Sequence, residues 1–357
     1  MRTFHQQVRF ARTADDVRIA YAVTGSGYPL VRAAHWLGHL DFDWQTPIWR
    51  PWIESLSAQH AFLRYDSRGC GLSDQDVGTI TLDALVSDLE AVVDAAKLDR
   101  FALMGMSQGG AVSIVYAARH PERVSHLVLC GAFARGGLRR DPSSEQAQAI
   151  EAMIKLVELG WGQENPAFLQ LFTSQFFPGA SLAQMHAFNE IQWHAVPPAL
   201  AARIIRAFAE LDAASLLPQV KCPTLVFHGR GDNRVPFSEG RFVASSIPNA
   251  RLFQLDTNNH LPLADEPAYA VLMEEIARFL PTRDPRATAA PRLAALTRRE
   301  LDVLNYIAQG FDNAQIAARL DLAEKTIRNN ITSIFNKIEV ESRSQAIVLA
   351  RNAGLGQ

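Results

Sequence analysis

The chain has 357 residues, of which 48% are hydrophobic and 20% are charged, and its formal net charge is −2. These values are typical of a globular protein and exclude disordered and fibrous chains. No stretch approaches the ~18 uninterrupted apolar residues of a transmembrane helix, and the first sixteen residues lack the apolar core of a secretory signal. We therefore expect a cytoplasmic protein with no membrane partner.

Three cysteines, Cys70, Cys130 and Cys222, are widely separated and form no CxxC pair. An odd number at such spacing argues against a disulfide framework and against a zinc site. The chain also shows no glycine-rich loop of the kind that cradles phosphates. The sequence therefore predicts neither a metal nor a nucleotide cofactor.

Charge and composition divide the chain near residue 281. From Pro281 onward there are 11 Lys and Arg against 8 Asp and Glu, a net +3, whereas the remainder has 24 against 29, a net −5. Residues 281–295 concentrate Pro, Ala and Arg without helical or strand periodicity, after the helical pattern PAYAVLMEEIARFL. We predict a first domain over 1–280, a linker over 281–295 and a second domain over 296–357.

Strand-like and helical runs alternate through the first domain. The strand-like runs are VRIAYAV, LVRAA, AFLRYD, FALMGM, HLVLCGA, TLVFHG and RLFQLD, separated by helical runs such as LDALVSDLEAVVDAA. This alternation predicts a mostly parallel, doubly wound sheet with helices on both faces.

Residues 135–217 interrupt that alternation with helices and loops, which predicts an inserted helical cap. We expect most of its aromatic side chains to form the core of the cap and a few to line a cleft beneath it. These aromatic residues are Trp161, Phe168, Phe172, Phe176, Phe177, Phe188 and Trp193.

The motif GMSQG, residues 105–109, follows the apolar strand FALM and opens the helical run GGAVSIVYAARH. This is the strand, turn and helix context of the G-x-S-x-G nucleophile elbow. A serine on so sharp a turn adopts strained backbone angles, and glycine neighbours without Cβ atoms allow the chain to reverse there. A further glycine, Gly110, strengthens the match, so Ser107 is the candidate nucleophile.

A serine hydroxyl needs a base to take its proton and an acid to orient that base. In the expected chain order, Asp232 follows the strand TLVFHG and His260 follows the strand RLFQLD. Each lies on a loop after the carboxyl end of a strand, where such sheets build their sites. We therefore predict Asp232 as the acid and His260 as the base. The alternatives that stay open are His228 and His35 for the base, and Asp256 and Asp265 for the acid.

The first domain resembles the α/β-hydrolase superfamily. Besides the predicted triad, DSRGCGLS at 66–73 matches the D-x-R-G-x-G-x-S stretch of that family, and HWL at 35–37 corresponds to its H-G-x turn, with Trp36 in the place of the usual glycine. The resemblance implies an α/β hydrolase fold with a helical cap, and an oxyanion hole formed by the backbone N–H groups of Leu37 and Gln108. A serine nucleophile implies acyl transfer on an ester, thioester or lactone.

The second domain shows four short helical patterns separated by turn residues. Capping boxes at 297–300 and 312–315 mark two helix starts, and Gly310 ends the first helix. In the third pattern one face is apolar and the other carries Lys, Arg, Thr and Asn, which suits a DNA groove. The apolar face consists of Ile327, Ile331, Ile334 and Ile338.

The segments LTRRELDVL, QIAARL and EKTIRNNITSIFNKI resemble the LuxR-type DNA-binding domain, a small all-α helix-turn-helix domain, over essentially its whole length. The resemblance implies that the third helix is the recognition helix and that the final helix mediates dimerisation on a palindromic DNA site. Ala323 stands where the family places a capping serine, and Asn330 replaces a common histidine. The residues implied to face DNA are Lys325, Thr326, Arg328 and Asn329, with Lys337 near phosphates.

The combination predicts a homodimeric, DNA-binding transcriptional regulator. Its hydrolase-like domain is expected to sense a small apolar acyl-type ligand and, in one form of the hypothesis, to hydrolyse it through Ser107, Asp232 and His260. The alternative is a serine carboxylic-ester hydrolase whose C-terminal helices mainly dimerise it. The exposed Lys, Arg and Asn side chains of the third helix favour the regulator, because a metabolic enzyme has no evident use for them.

Overall fold

The computed structural model describes residues 6–78, 80–163, 166–283 and 291–356. The chain forms two compact units, Met1–Leu280 and Pro281–Gln357. Part of the predicted linker, 284–290, lies outside the described residues. The two units are described separately below.

The first unit is built on a sheet whose strands appear across it in the order β1-β2-β4-β3-β5-β6-β7-β8. The first three neighbours in this order pair antiparallel and the others pair parallel, which confirms the predicted mostly parallel sheet. The strands are β1 (Val8–Arg12), β2 (Arg18–Thr24), β3 (Tyr28–Ala33), β4 (His60–Tyr65), β5 (Phe101–Met106), β6 (Val124–Cys130), β7 (Thr224–Gly229) and β8 (Ala250–Leu255).

Sequence analysis missed β1, which forms a hairpin with β2. The two strands pair in register from Val8 opposite Ala22 to Arg12 opposite Arg18. The turn between them holds Asp16 at a φ of +68°. The missed indication was the turn sequence TADD between two alternating runs, which is typical of a hairpin.

Helices cover both faces of this sheet. Along β5, Ala102 and Met104 point into one hydrophobic core, whereas Phe101 and Leu103 point into the other, because successive side chains of a strand face opposite ways. The first core also holds side chains of α1, α9 and α4 to α7, and the second holds those of α2, α3 and α8. These helices are α1 (Arg50–Ser57), α2 (Leu82–Ala95), α3 (Gly109–Arg119), α4 (Ser144–Gly160), α5 (Pro166–Phe176), α6 (Leu182–Ala195), α7 (Pro198–Glu210), α8 (Phe237–Ser246) and α9 (Pro267–Phe279).

Helices α4 to α7 lie between β6 and β7 in the chain and pack through aromatic side chains. Trp161 stacks on Trp36 with ring centroids 5.2 Å apart, and its indole N–H donates to the Val196 carbonyl at 2.9 Å. Trp193 differs from the other aromatic residues of this segment, since it is 42% exposed. The Trp36–Trp161 contact therefore ties the turn after β3 to these helices.

The second unit contains α10 (Arg298–Ala308), α11 (Asn313–Leu320), α12 (Glu324–Lys337) and α13 (Arg343–Asn352). Both predicted capping boxes are present, at Thr297 with Glu300 and at Asp312 with Gln315. The apolar face of α12 packs into the core of the unit, since all four of its predicted isoleucines are buried. Ala323 precedes α12 without a side-chain cap. Within the described residues, no helix combines the length and apolar character needed to cross a membrane.

Candidate active site and candidate DNA-binding helix

Ser107 lies on the turn between β5 and α3, at a φ of +52°. Glycine is required for steric reasons two residues before and two residues after this serine. A Cβ at Gly105 would lie 2.6 Å from Ser113 Oγ, and one at Gly109 would lie 2.9 Å from the Ala33 carbonyl oxygen. The tight turn predicted from the motif is therefore present, with the serine in the left-handed conformation that such an elbow imposes.

The structure brings Asp232 and His260 together. His260 Nδ1 donates to Asp232 Oδ2 at 2.7 Å, and the backbone N–H groups of Arg234 and Val235 donate to Asp232 Oδ1 at 2.8 and 3.0 Å. Burial opposes ionisation of this carboxyl group, but the charge and hydrogen bond of His260, with the backbone donors, hold the pKa of Asp232 below its ordinary value. Asp232 is therefore a carboxylate that orients the imidazole ring of His260.

The other ring nitrogen of His260, Nε2, is buried and has no hydrogen-bond partner among the described residues. The ring is held by the edge of Phe176, 5.8 Å away between centroids, and by Gly131, where a Cβ would come within 3.1 Å of His260 Cε1. A fixed imidazole with one nitrogen bonded to a carboxylate and the other unoccupied has the arrangement of a general base.

Ser107 and His260 line one pocket. Leu37 and Gln108, the predicted oxyanion-hole residues, line it as well. Most of the remaining lining is aromatic, which suits an apolar ligand. The aromatic residues are Trp36, Trp49, Phe176, Phe177 and Phe188.

The alternative base His228 packs beside the acid loop. Its Nε2 lies 2.9 Å from the Val235 carbonyl oxygen and 3.5 Å from Asp232 Oδ2. A Cβ at Gly240 would overlap its ring, so α8 encloses it. Burial lowers the pKa of His228. These contacts favour a structural role.

The alternative base His35 does line the pocket, stacked on Trp49 with ring centroids 4.4 Å apart. Burial, followed by the charges of Arg32 and Arg64, holds the pKa of His35 well below its usual range. Both arginines are buried and contact the single carboxylate of Asp43, at 3.5 and 3.3 Å. Burial, and after it the charges of this cluster, which sequence analysis missed, disfavour protonation of His35 next to the predicted oxyanion loop.

The alternative acids are both exposed. Asp265 accepts hydrogen bonds from Gln184 at 3.3 Å, and Asp256 lies at the surface after β8. Neither has a hydrogen bond to His260 within the part of the chain that the structure describes. The geometry therefore favours Asp232 over both.

Sequence analysis also missed the side chains that hold the His260 loop. Glu266 Oε1 accepts from Asn259 Nδ2 and from the Leu263 N–H, both at 2.7 Å, and Asn259 Oδ1 accepts from the Gly179 N–H at 2.9 Å. Thr257 also hydrogen-bonds to Glu266. Apart from the Gly179 N–H, all of these groups belong to the segment TNNHLPLADEP. Its polar residues around the histidine were therefore the available indication of a loop held by hydrogen bonds.

On α12 the four residues predicted to face DNA are all exposed, in agreement with the amphipathic pattern. Arg328 Nη2 donates to Glu324 Oε1 at 3.0 Å across one turn, and both side chains are at least half exposed. Such a surface pair is weak and leaves the guanidinium group available. The four residues are Lys325, Thr326, Arg328 and Asn329.

Lys337, predicted to lie near phosphates, is engaged within the protein. Its ammonium group donates to both carboxylate oxygens of Glu300, at 2.8 and 2.7 Å, and Ser333 donates to Glu300 Oε1 at 2.9 Å. Hydrogen bonds from Lys337 and Thr297 lower the pKa of Glu300 to about 2. Lys337 therefore joins α12 to α10, and a phosphate contact by Lys337 stays a prediction.

The first unit is similar to known hydrolases. RutD from Azorhizobium caulinodans, which carries a provisional carbamate hydrolase name, is 29% identical over 259 residues, 69% of this chain and 89% of that protein. The 3-oxoadipate enol-lactonase 2 of Acinetobacter baylyi is 25% identical over 71% of this chain and 91% of its own length. Among solved structures, an esterase from Exiguobacterium antarcticum shares the fold with a TM-score of 0.64 at 22% identity, covering 76% of this chain and 99% of that one.

Two families match the chain, one for each unit. The alpha/beta hydrolase fold family matches residues 36–267, and the luxR family of bacterial regulatory proteins matches residues 294–350. The first match covers more than half of the chain and contains the serine, aspartate and histidine described above. The chain therefore belongs to the α/β hydrolase fold family and joins this fold to a LuxR-type helix-turn-helix domain in one polypeptide.

Proposed function

We propose that the protein is a transcriptional regulator whose hydrolase domain binds a small apolar acyl compound and hydrolyses it. One observation carries the proposal. His260, bonded to Asp232 and with its Nε2 unoccupied, lines one aromatic pocket together with Ser107 on its strained turn. The same chain carries a LuxR-type DNA-binding domain. The ligand class follows from that pocket and that nucleophile: an ester, lactone or thioester.

The proposed hydrolysis proceeds in two steps, acylation and then deacylation of Ser107. Ser107 Oγ attacks the carbonyl carbon while His260 Nε2 takes the hydroxyl proton, and Asp232 stabilises the imidazolium. The N–H groups of Leu37 and Gln108 stabilise the developing oxyanion. His260 returns the proton to the leaving alcohol or thiol. Water then attacks the acyl-enzyme by the same route and releases the acid and free Ser107.

The DNA-binding half of the proposal rests on the LuxR-type domain and on the exposed polar face of α12. Lys325, Arg328 and Asn329 offer charged and amide donors of the kind that contact phosphates and base edges. We infer that the protein binds a palindromic site as a homodimer through α13, because two half-sites held as one unit raise the affinity of a single modest domain. Chromosomal DNA as a partner is consistent with a cytoplasmic location.

The second candidate function is a serine ester hydrolase whose C-terminal helices serve mainly to dimerise it. The assembled acid–base pair supports this candidate as it supports the first, because both hydrolyse their ligand. The two candidates differ in what the LuxR-type domain does, so specific DNA binding separates them.

A fluorophosphonate probe tests the nucleophile directly. We expect the intact mass of the full-length protein to increase by one adduct, and Ser107→Ala to remain unlabelled while it keeps its circular dichroism spectrum. A folded native protein that gains no adduct would contradict the hydrolytic half of the proposal and leave a receptor.

A further inference from the structure

The backbone of His260 is bonded to helix α5, which lies in the helical segment between β6 and β7. The His260 N–H donates to the Phe176 carbonyl oxygen at 2.7 Å. Phe176 is the last residue of α5, and the carbonyl groups in the last turn of a helix have no partner within that helix. The predicted base therefore supplies a hydrogen bond that the end of α5 needs.

Asn259 connects the same loop to the turn after α5. Its side chain is buried, and its Oδ1 accepts from the Gly179 N–H at 2.9 Å while its Nδ2 donates to Glu266 Oε1 at 2.7 Å. An amide can form both bonds because it has an acceptor at one end and a donor at the other. One side chain thus bridges the turn after α5 and the loop that carries His260.

The bridged segment also contributes to the pocket. Phe176 and Phe177 line it together with Ser107 and His260, and both pack on Phe188 of α6, with ring centroids 5.6 and 4.9 Å away. The position of the base is therefore joined to aromatic side chains of the pocket wall. Catalysis is sensitive to such a connection, since a misplacement of about 1 Å can cost about 100-fold in rate.

We propose that Asn259 is a positioning residue, which fixes His260 against the turn after α5 in the geometry that proton transfer from Ser107 requires. The inference rests on the proposed function, in which His260 is the base. Asp232, on the loop after β7, orients the imidazole ring through Nδ1. Asn259 fixes the backbone that carries this ring, and it acts only through His260.

A kinetic comparison on the full-length protein, with 4-nitrophenyl butyrate as the probe ester, tests this role. Asn259→Leu keeps roughly the volume of the side chain and removes both of its hydrogen bonds. We expect kcat to fall by about 10- to 100-fold, with a much smaller change in KM. Asn258→Ala is the matched control, because Asn258 is the exposed neighbour in the same loop, and it should keep the wild-type kcat and KM. A wild-type kcat in Asn259→Leu would overturn the inference.

Asn259→Asp provides a rescue that a space-filling role would not show. Two carboxylates that share a site repel each other, which raises the pKa of one of them. Once the new carboxyl group and Glu266 share a proton, the new group can accept from the Gly179 N–H and donate to Glu266, as the amide does. We expect kcat of Asn259→Asp, relative to wild type at the same pH, to rise as the pH falls from about 8 to about 6.

The same ratio for Asn259→Leu should stay constant over this range, because leucine has no group that takes up the proton. A constant ratio for Asn259→Asp as well would contradict the bridge. The aspartate variant also keeps the inference falsifiable if the leucine variant fails to fold.

A spectroscopic measurement separates this inference from the proposed function. The Nδ1 proton of His260 lies in a hydrogen bond of 2.7 Å to Asp232, so we expect a downfield proton NMR resonance that is lost in His260→Gln. Asn259→Leu should shift or broaden this resonance, and Asn258→Ala should leave it unchanged. That shift, in a protein that fluorophosphonate does not label, would reject hydrolysis and keep the positioning role. Labelling of Asn259→Leu at the wild-type rate, with an unchanged resonance, would keep hydrolysis and reject the positioning role.

Discussion

Ser107 combines a strained backbone conformation with the predicted role of nucleophile. A non-glycine residue at a φ of +52° costs ~1–2 kcal/mol, and the surrounding packing must hold it there. The glycines beside it allow α3 to approach β3 and β6 closely enough to do so. The reactivity of this serine therefore depends on neighbours that have no side chain.

Gly110 gives a direct test of that dependence. A Cβ at this position would overlap the Cβ of Ala132 in the loop after β6, so we expect Gly110→Ala to lower the free energy of unfolding by ~1–3 kcal/mol and to slow fluorophosphonate labelling. Gly78→Ala is the matched control, because a Cβ there meets no atom within 4 Å. Urea unfolding of both variants measures the difference, and equal stability would show that α3 moves aside without cost.

At the scale of single elements, α12 begins without a cap. Ala323 has backbone angles of −69° and 143°, which are those of an N-cap residue, but its side chain offers no acceptor for the first N–H groups of the helix. Helices α10, α11 and α13 follow the N-cap residues Thr297, Asp312 and Ser342, and each of these caps accepts a backbone hydrogen bond. Among α10 to α13, the predicted recognition helix α12 is therefore the one whose N-terminus lacks a side-chain cap.

Restoring the cap should stabilise the unit. We expect Ala323→Ser to raise the free energy of unfolding of the LuxR-type domain by ~0.5–1 kcal/mol, and Thr297→Ala to lower it by ~1 kcal/mol. Thermal unfolding followed by circular dichroism compares the two variants. A serine that adds nothing, while Thr297→Ala destabilises, would mean that the first turn of α12 finds other partners.

The Glu300–Lys337 pair predicts a pH dependence of stability. Glu300 has a pKa of about 2 in the folded protein, below the ~4.3 of an unperturbed glutamate, so the unfolded state binds its proton first as the pH falls. Its contribution is complete above pH ~4.3 and is lost as the pH approaches 2. We expect Glu300→Gln to remove most of this loss in urea unfolding of the domain between pH 5 and 3. An unchanged pH profile would show that the pair contributes nothing to stability.

At the scale of the whole molecule, a sensor must couple its two units. If ligand binding changes the affinity for DNA by some factor, DNA must change the affinity for ligand by the same factor. We expect reciprocal titrations of Ser107→Ala, with a small ester ligand and an operator fragment, to give equal factors. Arg328→Ala should weaken DNA binding while ligand binding in the absence of DNA stays the same. Independent isotherms would reject the sensor and favour the ester hydrolase.

The sequence predicted the parts that depend on chain order and periodicity. Parallel strands place their carboxyl ends at one edge, so Ser107, Asp232 and His260 were predicted as a triad from their positions after strands, and in the structure Asp232 contacts His260, which lines one pocket with Ser107. The sequence did not reveal pairings between distant side chains. The resemblance to LuxR-type domains implies that Lys337 lies near phosphates, and only the folded unit shows that Glu300 holds it. The same is true of Arg32 and Arg64, whose shared carboxylate comes from another segment.

Trp36 stands in the oxyanion turn and stacks on Trp161, in the segment that encloses the pocket. Any outward movement of that segment must pull on the turn that carries the Leu37 N–H. Movement of this segment to admit a ligand would therefore displace the predicted oxyanion N–H of Leu37. The carbonyl of the ligand would be polarised only after the segment has closed over the pocket. This coupling of ligand access to reactivity would make turnover slow. The lifetime of the ligand-bound state, rather than the number of molecules hydrolysed, would then set how long the change in DNA binding lasts.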